Sequence, residues 1–331
     1  MRPRLGLRPW LAFFLRARSV AFFVRFDIRL SMVPTVLASV QTMGDAWDDL
    51  ELVADPGEPG RFTARVSDAW MLVVVPQGGI VAAIAVRAMA EVLGDPAQSL
   101  RTITAVFAGQ VAAGAVEVEV QVLRRGRSMS QLQATVRNPG AAAGLTAIAA
   151  FGAPRRGFEF TDLAFPDVGG PDTLRGFRDP LPEGVDLEMI RPPMPFWDEV
   201  VECRPAIGRP PWEPFVEGPA ECAYWYRLDD PPVHGDGVLD PLASIVLCDT
   251  MPGAVGQKVG PQDEPWFGPS VDLTVHLLAD ARPGWLLAHN RARHAGDGYA
   301  SVEMALWDPG GPGRPTLVAY ATQLMFFAFG R

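Results

Sequence analysis

Asp240-Pro241-Leu242-Ala243-Ser244-Ile245-Val246-Leu247-Cys248-Asp249-Thr250-Met251-Pro252 reads as a short apolar helix carrying a carboxylate on the face meant for burial. Asp240 can accept backbone N–H bonds as an N-cap, Pro241 suits the first helical position, and Pro252 discourages continuation. Counting back from Asp249 by three, four and seven residues gives Val246, Ile245 and Leu242, so the carboxylate falls on the apolar stripe. A buried carboxylate without a partner is costly, and such groups concentrate at functional sites.

Outward from this helix, strand candidates near Val200 to Cys203 and Glu221 to Leu228 precede it, and four follow near 268–278, 285–293, 299–307 and 316–327. The same order stands earlier in the chain. Arg61 to Val66 is a strand candidate, and Gln77-Gly78-Gly79 opens an apolar helix from about Ile80 to Leu93 that Gly94 closes. Four strands follow near 101–108, 115–124, 128–137 and 144–152. In the second of these, Val116, Val118, Val120 and Val122 alternate with Glu117, Glu119 and Gln121, so one face packs on a core and the other meets water. The chain is therefore an internal repeat with an offset of roughly 160 to 175 residues. Each unit is α+β: an antiparallel curved sheet around one central apolar helix, the hotdog arrangement, and a tandem pair is a double hotdog. The expected units are residues 58–154 and 196–331, joined by a Pro-, Gly- and Asp-rich linker at 155–195.

The 331 residues suffice for two such units, and 48% hydrophobic residues can build a sizeable core. A net charge of -9 argues against a nucleic-acid partner. Residues 1–42 differ, with seven arginines from Arg2 to Arg29 set among Trp10, Phe13, Phe14, Phe22, Phe23 and Phe26. They read as a basic extension, disordered or upstream of the true start. No stretch approaches the roughly 18 to 20 apolar residues that span a bilayer, so no stable membrane insertion is expected. Cys203, Cys222 and Cys248 are odd in number and lack C-x-x-C spacing, which favours a reducing cytoplasm over a disulfide framework. His234, His276, His289 and His294 form no H-E-x-x-H motif, so no metal is expected. G-x-S-x-G and G-x-G-x-x-G motifs are both missing, which speaks against an α/β-hydrolase or a dinucleotide site.

The chain resembles the acyl-CoA thioesterase II family of double-hotdog proteins over about residues 58–330. The likeness rests on Pro76-Gln77-Gly78-Gly79, on Leu123-Arg124-Arg125-Gly126-Arg127-Ser128, on Asp249, on Ser270-Val271-Asp272-Leu273-Thr274-Val275-His276, and on Ala321-Thr322-Gln323. It implies hydrolysis of fatty acyl-CoA to fatty acid and coenzyme A, without cofactor. It also implies a water held and activated by Asp249, Gln323 and the Ser270 hydroxyl, where many relatives carry Thr. Thr274 is the alternative hydroxyl if the strand register is shifted.

On the residues themselves, Asp249 suits a general base and Gln323, both donor and acceptor, suits fixing a water against it. Gln323 alternates onto a face with Leu317, Ala319, Ala321 and Met325. Ser270 alternates with Asp272, Thr274 and His276, a pattern that also fits a solvated face. Gln77, Gly78 and Gly79 offer substrate a helix N-terminus with free N–H groups. Arg87 fills in the first helix the slot that Asp249 fills in the second, so one hydrolytic site per chain is expected. Arg124, Arg125 and Arg127 suit either phosphate or solvent, and Cys248 reads as core. The alternatives are an inactive acyl-CoA-binding double hotdog and, less favoured, a hydratase or dehydratase of this fold. Association into a homo-oligomer through exposed sheet is left open.

Overall fold

A computed structural model of the chain describes residues 45–185, 192–262, 264–310 and 314–329. The basic segment at 1–42 lies outside the described residues.

In the first half, β1 (Val53–Ala54) and β2 (Arg61–Val66) precede helix α1 (Gly78–Leu93). Strands β3 (Ser99–Phe107), β4 (Gly114–Arg124), β5 (Met129–Arg137) and β6 (Leu145–Gly152) follow it. The second half holds β7 (Val201–Ile207), β8 (Glu221–Leu228), α2 (Pro241–Cys248) and α3 (Gly253–Val259). It continues with β9 (Trp266–Phe267), β10 (Asp272–Leu277), β11 (Trp285–Gly296), β12 (Tyr299–Asp308), β13 (Thr316–Phe326) and β14 (Ala328–Phe329). The fold is α+β with the double-hotdog layout, but the two expected sheets are continuous. Twelve antiparallel strands run in the order β1-β2-β4-β5-β6-β3-β10-β13-β12-β11-β8-β7, and β3 against β10 is the seam.

α1 forms because its N- and C-terminal signals are both met. The Gln77 side chain accepts from Ile80 N, and Gly94 closes the helix at φ 58°, a left-handed conformation that glycine adopts without steric cost. Between them the Ile80–Ala85 run is buried on every side by the surrounding sheet. α2 starts as its sequence dictates, with Asp240 accepting from Leu242 N and Pro241 in the first turn. Pro252 does not end helical structure altogether. The chain turns after Asp249 and resumes as α3 directly behind Pro252, because a first-turn residue needs no N–H.

The two helices lie antiparallel across the seam, α1's start on α2's end and Arg87 on Asp240 at 2.8 Å. Residues 165–174 pack over the outer face of the second half: Phe165 meets Trp307 edge-on at 5.7 Å, and Trp225 Nε1 donates to Gly169 O at 2.9 Å. Trp47 stacks edge-on against Trp70 at 5.0 Å and ties the start of the described chain to the first half.

Candidate active site

Asp249 is the C-cap of α2, with φ -92° and ψ 42°, so its side chain leaves the helix end toward the start of α1. Its Oδ1 accepts from Gln323 Nε2 at 2.6 Å and from Ser270 Oγ at 3.2 Å, and Gln323 Nε2 also donates to Ser270 Oγ at 2.6 Å. Asp249 keeps some exposure as a residue, yet its carboxylate is strongly desolvated. Burial pushes its pKa from 3.8 up to about 6, against the opposing hydrogen bonds from Gln323, Ser270 and the Gly79 and Gly78 backbones. A carboxyl of this kind is ionised near neutrality and still basic enough to take a proton.

Gln323 sits on β13, 2% exposed, and its amide orientation is dictated by the carboxylate: only the NH2 can face Asp249. Its Oε1 is therefore left buried with no partner among the described residues. Ser270 comes into the cluster through a bulge. Thr274 pairs with Thr322, but Ser270 bridges Met325, so four steps on one strand match three on the other. That extra residue turns Ser270 inward with the core residue Met325, against the simple alternation that groups it with Asp272, Thr274 and His276. Asp272 Oδ1 instead accepts from Leu324 N at 2.7 Å. A second bulge, between Leu306 and Trp307 in their pairing with β13, sets Val318 in the core and Leu317 against the outer cluster, so Leu317 does not share Gln323's face.

Gly78 and Gly79 lie against this cluster, while Gln77 and Thr274 are otherwise engaged. A Cβ on Gly78 would stand 2.8 Å from Asp249 Oδ2 and 2.6 Å from Phe107 Cε1, and one on Gly79 would stand 2.7 Å from Val246 Cα. The buried Gln77 amide is a strut: Oε1 accepts from Ile80 N, while Nε2 donates to Val246 O at 2.8 Å and Asp249 O at 3.2 Å. Thr274 Oγ1 lies 3.1 Å from Thr104 Oγ1, on the side of the sheet away from Leu273 and Val275, and is not brought to Asp249. Phe107, at the end of β3, is a neighbour of the site that sequence reasoning did not single out. Its only signal is being the last apolar residue of a strand.

Several other groups serve the scaffold. Arg125 Nη2 donates to Val92 O at 2.7 Å near the end of α1. Cys203, Cys222 and Cys248 are free and buried, and burial holds the Cys248 thiol well above its ordinary range. Among the described residues no cluster of three or more His, Cys, Asp or Glu side chains is placed to hold a metal ion. Cavities of about 150 and about 350 Å3 lie away from Asp249, the first on β2 and β4, the second where α1 ends.

A duplicated hotdog whose helix ends meet at a carboxylate matches two family models: the acyl-CoA thioesterase N-terminal domain over residues 56–152 and the C-terminal domain over residues 171–327. The chain belongs to the acyl-CoA thioesterase family. No curated protein matches it. Among solved structures, a hotdog-fold protein from Alicyclobacillus acidocaldarius is 26% identical, with a TM-score of 0.69 over 86% of this chain and 98% of that one. The acyl-CoA thioesterase II TesB2 from Mycobacterium marinum is 20% identical, with a TM-score of 0.64 over 86% and 99%. The tesB protein from Mycobacterium avium subs. paratuberculosis is 18% identical, with a TM-score of 0.63 over 87% and 100%. The last two likenesses bear on the fold alone. Among the described residues, no helix of this family member is long and apolar enough to cross a membrane.

Proposed function

We propose that the chain hydrolyses acyl-CoA thioesters through a water activated at Asp249. The observation that carries this reading is the Asp249–Gln323–Ser270 cluster with its buried, unpartnered Gln323 Oε1. A water accepting nothing from Gln323 but donating one O–H to Oε1 and the other to Asp249 is fixed in place and made nucleophilic at once.

In the reaction, water oxygen attacks the thioester carbonyl carbon as its proton passes to Asp249. The tetrahedral oxyanion forms beside the Gly78 and Gly79 N–H groups, which protonation of Asp249 releases from its carboxylate. The C–S bond then breaks, and Asp249 returns the proton to the departing coenzyme A thiolate. Ser270 and Gln323 hold the carboxylate oriented throughout. The missing Cβ at Gly78 lets the start of α1 lie directly against Asp249 and Phe107. Three buried free cysteines fit a reducing compartment such as the cytoplasm.

The test is release of free thiol from acyl-CoAs of graded chain length, for wild type and Asp249→Asn. Wild-type turnover that Asp249→Asn loses is the expected result. Acyl-CoA binding by a wild type inert across the whole panel would mean a binding protein instead.

A further inference from the structure

The seam between the halves is a local twofold axis, and it locates a second cavity by symmetry. Thr104 and Thr274 face each other in the β3–β10 pair, 170 residues apart, and each is the other's mate. Thr104 also pairs with Ile148 as Thr274 pairs with Thr322, so Ala149 is the mate of Gln323 and Phe151 that of Met325. Leu100 pairs with Phe151 behind a bulge, as Ser270 bridges Met325 behind one, which makes Leu100 the mate of Ser270. Across the axis, then, hydroxyl and amide have become Leu and Ala, and Asp240 with Arg87 stands where Gln77 meets the end of α2.

This position is not filled in. A cavity of about 350 Å3 occupies it, lined by Leu93, Leu100, Phe151 and Leu242 together with Arg87 and Gln98. That is within the range of small-molecule pockets, roughly 300–1,000 Å3. Its walls are apolar, and its charges are already compensated. Asp240 is engaged by Arg87 and Leu242 N, and Asp95 by Ala97 N and Gln98 Nε2. His234 is exposed at the cavity's edge. Two hydrogen-bonding capacities remain. Asp240 uses one of the five N–H groups of Arg87, whose side chain is 32% exposed. Gln98 is 5% exposed, and its NH2 is committed to Asp95 and Gly126 O, which leaves Oε1 buried without a partner among the described residues.

We propose that this symmetry-related cavity binds a neutral aliphatic amide, its chain against Leu93, Leu100 and Phe151. The amide carbonyl accepts from Arg87 and the amide N–H donates to Gln98 Oε1. A carboxylate head group satisfies only the first of these and stands near two acids without a free cation to balance it. The inference stands on the cavity alone and does not require the hydrolytic reading.

Isothermal titration of the full chain with octanamide tests it. Octanamide is expected to bind, and octanoate about tenfold or more weaker, the effect of one lost buried hydrogen bond. Ala90→Trp, an exposed position on α1 at the cavity, removes one octanamide equivalent per chain while thiol release from acyl-CoA stays unchanged. Gln98→Met weakens octanamide by about tenfold and narrows its advantage over octanoate. Titration of Ala90→Trp identical to wild type, or octanoate binding as tightly as octanamide, overturns the proposal.

Discussion

Gln323 Nε2 reaches Asp249 Oδ1 at 2.6 Å across 74 residues of chain, so a mid-strand amide and a helix-ending carboxylate form one unit. Ser270 completes the unit, accepting from Gln323 Nε2 and donating to Asp249 Oδ1.

Asp249→Asn keeps the shape and can still accept from Gln323 and Ser270, but it cannot take a proton. Its kcat should fall by roughly 10²- to 10⁴-fold, the range for losing a positioned general base. Circular dichroism identical to wild type, beside thiol-release rates in that range, is the expected pair of results.

The pKa of Asp249 near 6 makes two pH predictions. If Asp249 is the base, kcat/KM should rise as pH climbs through about 6 and level off above it, since a general base must be ionised. Stability runs the other way. Between 3.8 and about 6 the folded chain retains a proton that the unfolded chain has lost, so this residue's contribution falls as pH rises through that window. The full deficit, on the order of 3 kcal/mol, persists above it. Asp249→Asn should therefore melt at a higher Tm than wild type at pH 8, with the gap closing toward pH 4.

Gln323→Met preserves volume and removes both the donor to Asp249 and the orphan acceptor. Activity should drop by about 100-fold or more, and the acid limb of the pH profile should move to higher pH, because Asp249 loses a hydrogen bond that favours its charge. A rate loss without displacement of that limb would mean that Gln323 matters only for packing.

Gly78→Ala and Gly79→Ala should separate function from stability. The new Cβ at 79 meets α2 backbone, which cannot yield, whereas the one at 78 meets the Phe107 ring and the Asp249 carboxylate. Urea unfolding is expected to place Gly79→Ala toward the upper end of the roughly 1–3 kcal/mol cost of overpacking. Gly78→Ala should lie at the lower end, yet lose more activity per kcal/mol.

Gln77→Leu leaves Ile80 N without its partner, while the Val246 carbonyl keeps the Asp249 N–H. A cost of roughly 1–3 kcal/mol is expected from one orphaned buried group, measured as a lower urea midpoint at unchanged m-value.

Elements with local punctuation are legible in the sequence. Gly94 and Pro241 bound their helices as read, and the Val116–Val122 alternation is the buried face of β4 through Val118. Where sequence reasoning fails, the cause is a register change or a distant partner. Ser270 and Leu317 each stand beside a bulge, and one extra residue reverses which way a side chain points without leaving any mark in the pattern. Gln77 binds a carbonyl 169 residues away, a contact that no local spacing announces.

The Thr104–Thr274 seam has a bearing on heredity. Two separate, identical hotdogs meeting there would have to carry the same residues at both sites, and any mutation would strike both. Tethered in one gene, the halves are free to diverge. One can keep its amide and hydroxyl under selection while the other drifts to Ala149 and Leu100 without extinguishing the lineage's chemistry.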